Sequence, residues 1–208
     1  ETPKGVFLFA VIARRGRATA EVLAELLPEV LAALPWPKSM RWGAGEARWV
    51  RPLQGILALF DGAVVPFAFA GIDSGATTRG HRFHAPEPIA VAGWTDYVER
   101  LRGARVLVEP AARRTEIARQ AQALAAAERL RLVDDPALLD EITGLVEWPV
   151  ALLGSFDRRF MQVPREVLVT TMRVNQKYLS LNGADGALTP RFIAVANLAA
   201  AEGGAKVR

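Results

Sequence analysis

The chain reads as an α+β protein with a mixed or mostly antiparallel sheet, packed helices and a helical excursion at about 93–143. Three observations predict this class. Short apolar runs with strand character fall near the start and the end of the sequence, while long helical patterns lie between them. Asp61-Gly62 separates two apolar runs, which signals a hairpin and hence antiparallel pairing. The regular strand and helix alternation of a doubly wound parallel fold is missing. A length of 208 residues suits one domain of good size or two small ones, long enough to bury a core, and the expectation is one domain spanning 1–208.

The elements follow in order. Residues 5–13, GVFLFAVIA, form a strand by composition, and Arg14, Arg15, Gly16 and Arg17 make a basic turn after it. Thr19 is placed to cap a helix whose apolar face runs from Val22 to Leu34, with Pro28 inside it. Between Pro35 and Pro52 three tryptophans, Trp36, Trp42 and Trp49, interleave with Lys38, Arg41, Arg48 and Arg51. Such a stretch suits either a stacking surface for single-stranded nucleic acid or tryptophans that fill a core while arginines extend to water. The apolar runs 53–60 and 64–70 make the hairpin, and 72–75 closes its second arm.

Further along, 94–102 reads as a short helix, 105–108 as a strand and 111–132 as an Ala-rich helix. Asp135-Pro136 restarts a helix, with the Asp as cap and the Pro in the first turn. Residues 150–153 form a buried strand, Pro164 opens a short helix, and 177–181 and 192–198 are strands around a turn at 183–186.

Two polar loops carry the candidate chemistry. TTRGHRFH at 77–84 holds both histidines, His81 and His84, with Arg79 and Arg82. It can contact phosphate, or serve as a hydrogen-bonded structural loop. A metal site is the least suited reading, because no cysteine exists and no carboxylate lies inside the motif. The second loop gathers Arg173, Asn175, Gln176 and Lys177 at a helix end, where planar donors meet phosphates or base edges, and where cations also favour the helix dipole.

Composition excludes several classes. With no cysteine there are no disulfides, thiolate metal sites or cysteine nucleophiles, which agrees with a cytoplasmic setting. No apolar run approaches the ~20 residues of a membrane span, so no membrane partner is expected. A net charge of +4 permits an anionic partner without requiring one. Glycine-rich phosphate loops, nucleophile elbows, an H-E-x-x-H motif and a histidine paired with a nucleophile are missing, so the expectation is no catalytic residue and no metal.

EITGLVEWPVALLGSF at 141–156, VPREVLVTTMRVNQKYL at 163–179, PRFIAVANL at 190–198, PKSMRWG with ARWVRPL at 37–53, and TRGHRFHAP at 78–86 together resemble the β subunit of the bacterial heterotetrameric glycyl-tRNA synthetase. The resemblance runs nearly end to end and implies a piece of the N-terminal to middle part of a longer ligase subunit. It implies a module like the editing-type domain of the phenylalanyl-tRNA synthetase β subunit. It also implies an α subunit that activates glycine with ATP and Mg, an α2β2 assembly, and glycine tRNA as partner. The expectation is a non-catalytic part supporting aminoacylation through tRNA binding and subunit assembly, with Arg79, His81, Arg82, Arg173, Gln176 and Lys177 as tRNA contacts. The alternatives are a hydrolytic editing domain and a purely structural interaction module.

Overall fold

The computed structural model describes Gly5, Ile12 and residues 15–199. Apart from Gly5 and Ile12, the strand expected at 5–13, Arg14 of the basic turn and the tail at 200–208 lie outside the described residues. The contacts divide the chain into two compact units, Glu1–Thr78 and Arg79–Arg208.

The first unit begins with α1 (Thr19–Ala33). Ala18, in extended conformation, is the cap and offers no side-chain bond, so Thr19 is the first helical residue instead of the cap. Leu23, Leu27 and Leu31 are half-buried, whereas Val22, Leu26, Val30 and Leu34 form an exposed line spaced by four. The strands β1 (Met40–Arg41) and β2 (Arg48–Trp49) pair antiparallel. Trp49 stands edge-on between Trp36 at 4.9 Å and Phe69 at 5.5 Å. The rings of Trp36, Trp49 and Phe69 thus pack on one another, with Trp36 still 37% exposed.

Five short strands follow: β3 (Ile56–Leu57), β4 (Leu59–Phe60), β5 (Ala63–Val64), β6 (Ala68–Phe69) and β7 (Ile72–Gly75). Asp61 and Gly62 have φ of 50° and 76°, and this two-residue turn joins β4 to β5 as the dipeptide predicts. A second tight turn at Ala70-Gly71, with φ of 54° and 77°, joins β6 to β7. Residues 72–75 are therefore a strand, not the close of an arm. Because β3 pairs parallel to β7, the pairing in this unit is mixed.

The chain enters the second unit along β8 (Thr77–Arg79), followed by β9 (Pro88–Ala90), α2 (Trp94–Gly103), α3 (Pro110–Ala127), β10 (Arg131–Leu132) and α4 (Pro136–Leu145). Next come β11 (Val150–Ser155), a 3-10 turn (Arg158–Gln162), α5 (Arg165–Thr170), a π-helical turn (Thr171–Gln176), β12 (Leu179–Asn182) and β13 (Leu188–Ala196). The antiparallel sheet has the order β10-β12-β13-β11. Alternation along its strands creates two cores. Leu179, Leu181 and Ile193 face α3 and α4, where Ile117, Ala121, Ala125, Leu138 and Ile142 meet them. Phe192, Ala194 and Leu188 face the other way, onto Met172 and the half-buried Leu168 and Tyr178. Burial of each large side chain in these layers contributes about 1.5–3 kcal/mol.

Several boundaries differ from expectation, β13 beginning at Leu188 instead of 192, and three of them have a local cause. Residues 105–108 are irregular instead of a strand: Arg105 is left-handed at φ 63°, and the Leu107 N–H donates to Glu147 O at 2.8 Å. Helix α3 stops at Ala127, short of 132, because Arg129 turns left-handed at φ 58° and Leu130 N–H returns to Ala125 O. Pro164 is the cap of α5 and not its first helical residue. At α4, by contrast, Asp135 accepts from Leu138 N–H at 3.0 Å with Pro136 in the first turn, as read.

Candidate nucleic-acid interface

The loop 79–86 is fixed by two close contacts. At Gly80 an added Cβ would lie 2.4 Å from Ala104 Cβ and 2.8 Å from its carbonyl oxygen, so the backbones approach as only glycine allows. His81 is 1% exposed. Its Nε2 donates to the Asn197 carbonyl at 2.6 Å, and its Nδ1 accepts from the Phe83 and His84 N–H groups at 3.2 and 3.3 Å. Since a carbonyl can only accept and an N–H can only donate, the ring is the neutral Nε2–H tautomer. Both nitrogens are spent on the fold. His81 thus takes the structural role weighed for this loop, and it offers no donor to a ligand while the loop stays closed.

Asn197 serves three segments. While its carbonyl holds His81, its Oδ1 accepts from the N–H groups of Glu147 and Trp148 at 2.8 and 2.9 Å. The fragments TRGHRFH, EWP and VAN therefore meet at one residue. Sequence reading assigned Asn197 no role, although an Asn at a strand end beside a loop is a signal for side-chain to backbone bonding. Arg113 was missed likewise; it binds the carbonyls of Leu107 and Val108 at 2.7 and 2.9 Å and Thr143 O at 3.2 Å.

What this frame presents outward is cationic and aromatic. Arg82 is exposed and has no ion pair among the described residues, and Phe83 beside it is 73% exposed. Arg79 uses one Nη1 on Pro86 O at 3.0 Å and is otherwise exposed. On the segment anchored by Asn197, the Arg105 guanidinium lies 5.0 Å over the Trp148 ring. The His84 ring lies 4.6 Å from that of His81, tilted by 38°, and accepts from Ala199 N–H at 3.3 Å. A metal on this pair would have to displace those backbone donors.

The second candidate group sits at the end of the π-helical turn, where Lys177 is left-handed at φ 57° and Tyr178 N–H closes onto Met172 O at 2.9 Å. Arg173 Nε donates to Asp135 Oδ2 at 2.6 Å, and Lys177 Nζ lies 2.7 Å from Glu141 Oε1. Burial pushes the Asp135 carboxyl upward, yet the Leu138 N–H and Arg173 outweigh it and hold the group below its usual range. Gln176 is exposed. Among the described residues no hydrogen bond or ion pair links this group to the loop at 79–86.

One cleft adjoins the second group at Gln176, and a second cleft shares Phe156 with the first. The first, of about 220 Å³, has an apolar lining that includes Phe156, Phe160, Met172, Tyr178 and Phe192, with Gln176 at its wall. Tyr178 and Phe192 stack 4.2 Å apart and 7° from parallel. The other, of about 510 Å³, is lined by Glu128, Ser155, Arg158, Thr189 and Arg191 among others.

Comparison with known proteins decides the family. The model of the glycyl-tRNA synthetase beta subunit matches residues 1–208. The chain belongs to the glycyl-tRNA synthetase beta subunit family. Among curated family members, the glycine--tRNA ligase beta subunit of Rhodospirillum centenum is 47% identical over 231 residues, covering 100% of this chain and 32% of that protein. Those of Ruegeria sp. and Paracoccus denitrificans are each 46% identical, covering 100% and 94% of this chain and 31% and 29% of their own lengths. The chain spans about a third of these family members. No helix among the described residues is long and apolar enough to cross a membrane.

Proposed function

We propose that this chain works as a tRNA-binding part of a glycine–tRNA ligase in the cytoplasm, in which ATP- and Mg-dependent glycine activation belongs to an α subunit of an α2β2 assembly. The single observation that carries the RNA-binding role is the loop 79–86. Its buried His81 and its Gly80 are fixed, so Arg79, Arg82 and Phe83 are held outward on a rigid base, with Arg105 over Trp148 on the same Asn197 frame. A preorganised pair of guanidiniums beside an exposed ring offers phosphate contact and stacking at little ordering cost. Arg173 and Lys177 supply a weaker second contact, since each must share its charge with a carboxylate. The decisive test is the affinity for glycine tRNA with and without the Arg79 and Arg82 charges across salt concentrations.

A second reading is subunit assembly. It is favoured by α1, where Val22, Leu26, Val30 and Leu34 are 39%, 46%, 45% and 40% exposed along one line. Replacing Leu26 and Val30 by Glu would then weaken association with the α subunit and leave tRNA affinity unchanged.

A further inference from the structure

We propose that the two clefts meeting at Phe156 form a slot for one unpaired nucleotide, the base entering the apolar cleft and its phosphate lying toward Arg158. The slot presupposes the RNA-binding role proposed above and names where a single unstacked base would go.

Three features select this occupant. First, the apolar cleft, at about 220 Å³, falls below the ~300–1,000 Å³ typical of sites for whole drug-sized ligands and suits one planar ring system. Second, its walls are rings: the parallel, stacked Tyr178 and Phe192 pair on one part, Phe156 and the 45% exposed Phe160 on others. Every base has a π-face, so such walls accept a base whatever its identity. Gln176 then supplies an amide, two donors and an acceptor, for a base edge.

Third, the charge around the slot is cationic. Arg158 lines the adjoining polar cleft and has no hydrogen bond or ion pair among the described residues. Arg191 lies in that cleft also, held at 2.6 Å by Glu128. Arg159, 5.0 Å from the Phe160 ring centre, is paired with Asp157 at 3.4 Å. Three guanidiniums stand against two carboxylates, and the uncompensated one is Arg158, next to the aromatic walls. An apolar protein segment would gain nothing from this charge; a phosphate would.

The test is titration of the full-length protein with a short single-stranded RNA carrying one 2-aminopurine, and in parallel with glycine tRNA. The account expects quenching of 2-aminopurine on binding. Phe160→Ala should lose the quench and weaken single-strand affinity about tenfold, whereas Arg158→Ala should keep the quench and lower the salt slope by about one. Gln176→Ala, on an exposed side chain, serves as a second variant that leaves the aromatic walls intact and should weaken affinity severalfold. Unchanged affinity and quench in Phe160→Ala and Gln176→Ala, with glycine tRNA still bound through Arg79 and Arg82, would overturn the slot alone. Weakened subunit association in Phe160→Ala with unchanged RNA affinity would mean that a protein segment fills the cleft. Failure of the unaltered protein to bind any RNA would instead overturn the RNA-binding role itself.

Discussion

His81 and Asn197, 116 residues apart in sequence, are joined by a 2.6 Å hydrogen bond from the imidazole Nε2–H to the backbone carbonyl. The bond ties the cationic loop to the end of β13, and the Asn197 side chain passes the constraint on to Glu147 and Trp148.

Replacing His81 by Ala should therefore destabilise the protein by about 2–4 kcal/mol, because it opens a cavity and leaves a carbonyl and two N–H groups without partners. His81→Gln, able to donate to Asn197 but not to accept from both N–H groups, should lie between. Urea unfolding measures both. If His81→Ala unfolds like the parent, the junction contributes nothing to the fold.

Gly80→Ala should cost about 1–3 kcal/mol, since the new methyl would overlap Ala104 on an unyielding backbone. Gly154→Ala meets the Phe192 ring at 2.3 Å instead and should disturb the Tyr178–Phe192 stack. Thermal unfolding together with near-ultraviolet circular dichroism separates the two effects, with an aromatic signal change for Gly154→Ala only.

Asp135 holds the first turn of α4 and also Arg173. Asp135→Ala should cost about 1–2 kcal/mol through loss of the cap, and Arg173→Ala less than about 1 kcal/mol, as expected of an ion pair that faces water. A double-mutant cycle checks this. A coupling energy as large as the cap effect would contradict the assignment of roles.

Glu116 gives an acid-pH prediction. Its bonds to Arg119 and Gln120 hold its carboxyl down to about 2, against an ordinary value of 4.5. A carboxylate with a lowered folded value contributes stability above pH 4.5 and loses it as pH falls toward 2. Glu116→Gln should flatten the stability profile across that window. The same slope in both proteins would show that other carboxylates govern the acid limb.

Much of this was legible in the sequence because it is written locally. Asp61-Gly62 specified its hairpin, and Asp135-Pro136 specified the start of α4. Ala70-Gly71 makes an equally tight turn, but alanine in the left-handed region is disfavoured by about 1–2 kcal/mol, so the residues gave no signal. Arg129 ended α3 early for the same kind of reason, a left-handed arginine that no propensity foretells. In the candidate site, the two cationic loops were visible as compositions. The burial of His81, the pairing of Arg173 and Lys177 with acids of α4, and the convergence on Asn197 depend on contacts between distant segments, which spacing does not encode.

The most direct measurement is binding of glycine tRNA and a noncognate tRNA at two salt concentrations, comparing the unaltered protein with Arg79→Ala plus Arg82→Ala. The account predicts tighter, salt-dependent binding of the cognate RNA, and a salt slope reduced by about two when both charges are removed. Equal and weak binding of both RNAs, or an unchanged slope in the double variant, would contradict it and leave subunit assembly as the role of this chain.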